Sequence, residues 1–144
     1  MKFVIVYWTR HGNNKKIVDY LAGELKEEGE VQVLLTDDAD PAAMPLADFY
    51  IFSAATEAFR VQKNMRRLMK KLKGMEGRKY GIINTHAMKD RNWLGSMERL
   101  LSKKKMMKLA ETDFAMGKQV ESGEGLQEGW EQKLDAFINK LVTP

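Results

Sequence analysis

Short continuous apolar runs alternate along this chain with stretches whose apolar residues return every three or four positions, and this alternation constrains the fold more than any other feature. Residues 2–8 are unbroken and rich in β-branched and aromatic side chains, the pattern of a strand covered on both faces of a parallel sheet. Ile17, Val18, Leu21, Ala22 and Leu25 then repeat at helical spacing until Gly29 stops them. Residues 31–35 give a second strand, after which Asp40 as N-cap and Pro41 at the first helical position predict a helix that Pro45 cuts short. A third strand at 48–54 leads to a helix carried by Met65, Leu68, Met69 and Leu72 and closed at Gly74. Residues 80–84 predict a fourth strand, and Trp93, Leu94, Met97, Leu100 and Leu101 mark the helix after it. A fifth strand falls within 107–116. Leu126, Trp130, Leu134, Phe137, Ile138 and Leu141 form a last amphipathic helix, entered through the Ser-Gly-Glu-Gly breaker of 122–125.

Strands and helices alternating in this way require a parallel sheet with right-handed crossovers. The expected fold class is α/β: a doubly wound five-stranded parallel sheet of order 2-1-3-4-5 in a three-layer α/β/α arrangement. The 144 residues, the size of an ordinary domain, are expected to form one domain over 1–144. In such sheets ligands sit outside the strand C-termini where the strand order reverses, here between the first and third strands. The loops to inspect are therefore 9–14, 55–61 and 85–92. With no cysteine there is no disulfide, thiolate nucleophile or cysteine-ligated metal, and with only His11 and His86 no His-rich metal site is expected. The apolar run of 3–8 is too short for a signal-peptide core of about 7–15 residues or a membrane span of about 20, which predicts a cytoplasmic protein without membrane attachment.

Charge is unevenly distributed. Residues 60–108 carry 16 Lys and Arg against Glu76, Asp90 and Glu98, a net of +13, while the remainder has a net of −9. The doubly wound order brings the third and fourth helices together on one face. Lys63, Arg66, Arg67, Lys70 and Lys71 then stand near Arg99, Lys103, Lys104 and Lys105. Such a face suits an acidic redox protein, with association that weakens as salt rises; solvation alone is the plainer reading of the run. The charges are not interleaved with aromatics and no recognition motif is present, which argues against nucleic acid.

The first loop reads Thr9-Arg10-His11-Gly12-Asn13-Asn14. Free backbone N–H groups at a helix start face any anion placed before it, and the helix dipole favours negative charge there. Gly12 lets the backbone approach closely, and Thr9 or Asn14 can add hydrogen bonds. The loop, its preceding strand and the repeating order of nearly the whole chain resemble the flavodoxin family, whose T-x-T-G-N-T loop holds the phosphate of flavin mononucleotide. Thr9, Gly12 and Asn13 match that pattern; His11 and Asn14 replace hydroxyl residues, and Arg10 adds a cation. The resemblance implies a non-covalently bound flavin mononucleotide and an electron carrier rather than an enzyme with its own substrate. It also implies contacts from the stretch that includes Thr56, Glu57 and Phe59. Glu57 occupies the place of the family's ring-stacking aromatic, and Phe59 lies two residues on. Thr85, His86 and Trp93 take the flanking position on the other side of the ring.

Two other readings stay open. A flavodoxin-like module without cofactor would act through its basic face alone. The Arg10-His11-Gly12 tripeptide is also similar to the signature of histidine phosphatases, in which His11 would take the phosphoryl group and Arg10 would bind it.

Overall fold

The computed structural model describes residues 1–143. Five long strands form one parallel sheet: β1 (Lys2–Tyr7), β2 (Glu30–Leu35), β3 (Phe49–Glu57), β5 (Lys79–His86) and β6 (Met107–Ala115). Their order is β2-β1-β3-β5-β6. This is the expected doubly wound arrangement. A two-residue strand, β4 (Arg60–Val61), lies off the path and pairs antiparallel with the end of β3.

The period-2 geometry of each strand sends alternate side chains to opposite faces and so builds two cores. Val4, Val6, Tyr50, Phe52, Tyr80 and Ile82 point to one face, where α2 (Lys63–Lys71) contributes Met65, Leu68 and Met69 and α3 (Leu94–Ser102) contributes Leu94, Met97 and Leu101. Phe3, Ile5, Ile51 and Ile83 point to the other, where α1 (Asn13–Leu25) lays down Ile17, Val18 and Leu21 and α4 (Trp130–Val142) lays down Leu134, Phe137 and Leu141. Each of these side chains contributes about 1.5–3 kcal/mol by leaving water. The methionines of α2 serve as core filler on its apolar stripe.

The second crossover departs from the expected helix. Thr36–Asp38 is a single 3₁₀ turn, and the Asp40 carboxylate accepts the Ala42 N–H at 3.0 Å in a turn rather than capping a helix. Aspartate before proline serves both structures, and Pro45 leaves no room for helical turns between them. The loop is pinned instead by Tyr50, whose hydroxyl accepts from the Ala47 amide at 3.1 Å and donates to the Pro45 carbonyl at 2.7 Å. Val33 and Leu35 of edge strand β2, in register with Ile5 and Tyr7 on the α1 face, remain exposed at the sheet edge. Among the described residues no helix is long and apolar enough to cross a membrane.

Candidate functional site

The strand order reverses between β1 and β3, and the C-terminal ends of those strands border an open cleft of about 220 Å³. Thr9, Arg10, His11, Asn13 and Asn14 line one side, Thr56 and Glu57 the second, and Thr85 and His86 the third. The three loops selected from the sequence therefore do converge. The cleft belongs to the place where doubly wound sheets bind ligands.

The first wall is built around Gly12. Its φ of 97° lies in the left-handed region, and a Cβ added there would meet nothing within 4 Å, so the backbone rather than crowding selects glycine. The Thr9 hydroxyl accepts the Gly12 N–H at 3.0 Å and closes the turn. Helix α1 then begins with no side-chain cap and no acidic residue in its first turn, leaving the amides of its first three residues without an intrahelical acceptor.

Asn13 and Asn14 are buried, and their side chains face the protein. Asn14 accepts from the Ser53 hydroxyl at 2.6 Å and donates to the Thr85 hydroxyl at 3.0 Å, tying the start of α1 to β3 and β5. Asn13 donates to the Val120 carbonyl at 2.8 Å and accepts the Gly125 N–H at 2.9 Å. That clamp holds the segment after β6 against the first loop and brings Met116, Val120 and Glu121 into the cleft wall. Sequence reasoning does not find these three residues. The available signal is the glycine pair at 123 and 125: Gly123 has φ 80°, and a Cβ there would lie 2.6 Å from the His11 carbonyl oxygen.

The cationic side chains at the cleft and in the first turn of α1 are paired, whereas Glu121 of the wall has no salt-bridge partner among the described residues. Arg10 and Glu57 form a two-bond bridge across the mouth, at 2.5 Å from Nε to Oε2 and 3.0 Å from Nη2 to Oε1. Arg10 also lies over the Trp8 ring at 5.1 Å. The hydrogen bond donated to Glu57, reinforced by the carboxylate's charge, pushes the guanidinium above its usual range. Lys15 binds Asp19 at 2.7 Å and Lys16 binds Glu124 at 2.9 Å, so neither lysine of the first turn is left without a counter-charge. His86 is buried at the cleft floor between the Asp113 carboxylate, 2.6 Å from Nε2, and the Met88 carbonyl, 2.6 Å from Nδ1. Both ring nitrogens are thus engaged, as is the Arg10 guanidinium. Neither of these groups is free to bind a phosphoryl group beside the exposed His11, as the phosphatase reading requires.

Phe59 and Trp93 lie elsewhere. β3 continues to Glu57 and turns back through Ala58 (φ 48°) and Phe59 (φ 61°) into β4, a two-residue hairpin with both central residues left-handed. The hairpin carries Phe59 away from the cleft to an exposed tip, and the Trp93 indole N–H donates to the Phe59 carbonyl at 2.9 Å. Both line a second groove, between α2 and α3, of about 350 Å³. Among the residues named from the sequence, Thr9, Arg10, His11, Asn13, Asn14, Thr56, Glu57, Thr85 and His86 line the cleft, with Gly12 shaping its backbone. No group of His, Asp or Glu among the described residues is arranged to hold a metal.

No protein-family model matches the chain, and no curated protein does. Solved structures do. A flavodoxin from Streptococcus pneumoniae superimposes with a TM-score of 0.80 at 18% identity, covering 98% of this chain and 97% of that one. A short-chain flavodoxin associated with a bacterial microcompartment gives 0.76 at 17% identity over 99% and 97% of the two chains. Flavodoxin 2 from Bacillus cereus gives 0.70 at 16% identity over 97% and 99%. Strand order, the reversal point and these superpositions agree that the chain has a flavodoxin-like fold.

Proposed function

We propose that the cleft between the ends of β1 and β3 binds flavin mononucleotide by its phosphate and that the protein carries electrons. The observation behind this reading is the uncapped start of α1 preceded by a left-handed Gly12 with open space before it. Backbone amides there, the Thr9 hydroxyl and the helix dipole suit a phosphate dianion without needing a cationic side chain. Thr9 accepts from Gly12 and keeps its own proton for donation. Residues 55–57 and 85–87 would border the ring, with the Thr56 hydroxyl held by Asn84 and His86 fixed by Asp113 and Met88. Bound flavin would supply the electron-transfer chemistry, and the chain would supply orientation and electrostatics.

A cofactor-free interaction module is the second reading. It is favoured by the Arg10–Glu57 bridge across the mouth and by the lack of any Phe, Tyr or Trp ring in the cleft lining. Titrating the protein with flavin mononucleotide while following flavin fluorescence, with riboflavin as the phosphate-free control, separates the two. Quenching by the phosphorylated flavin that riboflavin cannot match supports the first reading. No quenching of either at tens of micromolar, within the usual range of weak binding, supports the second.

A further inference from the structure

The groove between α2 and α3 is walled by five cations from three elements: Arg60 from β4, Arg66 and Lys70 from α2, and Arg99 and Lys103 from α3 and its end. No carboxylate lines it. None of the five is in a salt bridge among the described residues. Helix α2 contains no acidic residue, and Glu98, the one carboxylate of α3, is bound by Lys108 of β6 at 2.7 Å. Burial, reinforced by the neighbouring charges of Arg60 and Arg67, holds the Arg66 guanidinium below its usual range. The chain therefore concentrates like charge here and supplies no counter-charge of its own.

Phe59 stands at the lip of this groove with 68% of its surface exposed, on a hairpin tip whose two left-handed residues lack the asparagine or glycine such turns favour. Trp93 holds the tip by its carbonyl and is itself only 8% exposed. An exposed, fixed aromatic beside unpaired cations has the anatomy of a protein-binding anchor with a steering rim. A small polyanion fits less well, because ligand sites enclose most of their occupant and the cations here stand around an open trough.

We propose that this groove docks an acidic protein surface, with Phe59 as its apolar contact. The hairpin is continuous with Thr56 and Glu57 of the cleft, so a partner held there sits beside the cleft mouth. The inference does not depend on flavin binding, and its test uses none.

The probe is a fluorescently labelled acidic copolymer of glutamate and tyrosine, with polyglutamate as the anchor-free control. Lys70→Glu/Lys103→Glu, both on exposed side chains, is expected to lower affinity for the copolymer about tenfold or more and to flatten its salt dependence. Lys63→Glu/Lys71→Glu makes the same charge change on α2 outside the groove lining and is expected to lower it less than about threefold. Phe59→Ala is expected to remove the preference for the copolymer over polyglutamate while leaving the salt dependence unchanged. Arg66→Gln provides a second groove variant with a smaller charge change, and thermal melts confirm folding of each. Equal losses from the two double reversals would overturn the proposal, since net charge alone would then account for binding. Displacement of the copolymer by micromolar tripolyphosphate would overturn it too, assigning the groove to a small anion.

Discussion

The cleft and the groove lie on either side of the β3–β4 hairpin and treat charge in opposite ways. Around the cleft Arg10 meets Glu57 and Lys16 meets Glu124, each carboxylate coming from a distant part of the chain. In the groove Arg60, Arg66, Lys70, Arg99 and Lys103 have no such partner among the described residues. Both regions look cationic in sequence, yet only the groove presents uncompensated positive charge. A basic residue near a candidate site is informative once the fold shows what faces it, because paired charges contribute little field beyond the pair.

The largest expected effect tests what holds the cleft together. Asn14→Ala removes the amide between Ser53 and Thr85 and leaves two buried hydroxyls without that partner. Denaturant unfolding should show a loss of about 1–3 kcal/mol, the range for stranding a buried polar group. A loss near zero would mean that the first loop is held by its backbone alone, and the contrast between a locked cleft and an open groove would weaken.

The second effect concerns the bridge at the mouth and carries a sign. Glu57→Gln should free the Arg10 guanidinium for an anion and tighten flavin mononucleotide binding, whereas Arg10→Ala should leave an unpaired carboxylate and weaken it, each by roughly tenfold. Fluorescence titration of the two variants reads both directions. Because the bridge is exposed and screened by solvent, neither change is expected to shift the unfolding midpoint appreciably. If both variants bind flavin as the parent does, the bridge lies outside the binding path.

The sequence reveals the architecture well because buried strands and amphipathic helices carry their burial in their spacing. Val4, Val6, Phe3 and Ile5 alternate between two cores, and Met65, Leu68 and Met69 repeat on one helical face. Local signals with two physical solutions are less legible. Asp40-Pro41 reads as a helix start and folds as a turn. Ala58-Phe59 has no residue that prefers a positive φ, so the hairpin that turns Phe59 away from the cleft leaves no mark in the sequence. The wall at 116–121 depends on Asn13 clamping a segment more than a hundred residues away, and only Gly123 and Gly125 hint at that approach. Pairing of Arg10 with Glu57 is likewise a property of the folded chain, not of either loop.

A smaller effect probes the groove side. Replacing Arg66 with methionine keeps the aliphatic packing, gives up the Nε–H bond to the Val61 carbonyl and removes a cation that burial and its like-charged neighbours disfavour. Stability should stay within about 0.5 kcal/mol of the parent or rise. The parent should gain more from added salt than the variant, as screening relieves repulsion. Equal salt responses in denaturant melts would show that the groove cations already have effective partners.

The smallest effect is read only at alkaline pH and separates the two helical layers by cause. Tyr20, on the α1 side, is pushed from 10.0 up to about 12 chiefly by its hydrogen bond to Asp135, whereas Tyr80, under α2 and α3, reaches about 12 chiefly through burial. The hydroxyl of Tyr20 donates to that carboxylate at 2.6 Å. In both cases the folded state holds its proton more tightly than the unfolded chain, whose tyrosines ionise near 10. Their stabilising contribution is therefore complete below that pH and is lost as pH rises from about 10 toward 12. Asp135→Asn should return the Tyr20 tyrosinate midpoint toward the ordinary value and leave Tyr80 where it is, as read by ultraviolet titration with Tyr20→Phe to assign the signals. If both midpoints moved together, the two tyrosines would share one alkaline opening of the sheet, and the two layers would not titrate as separate environments.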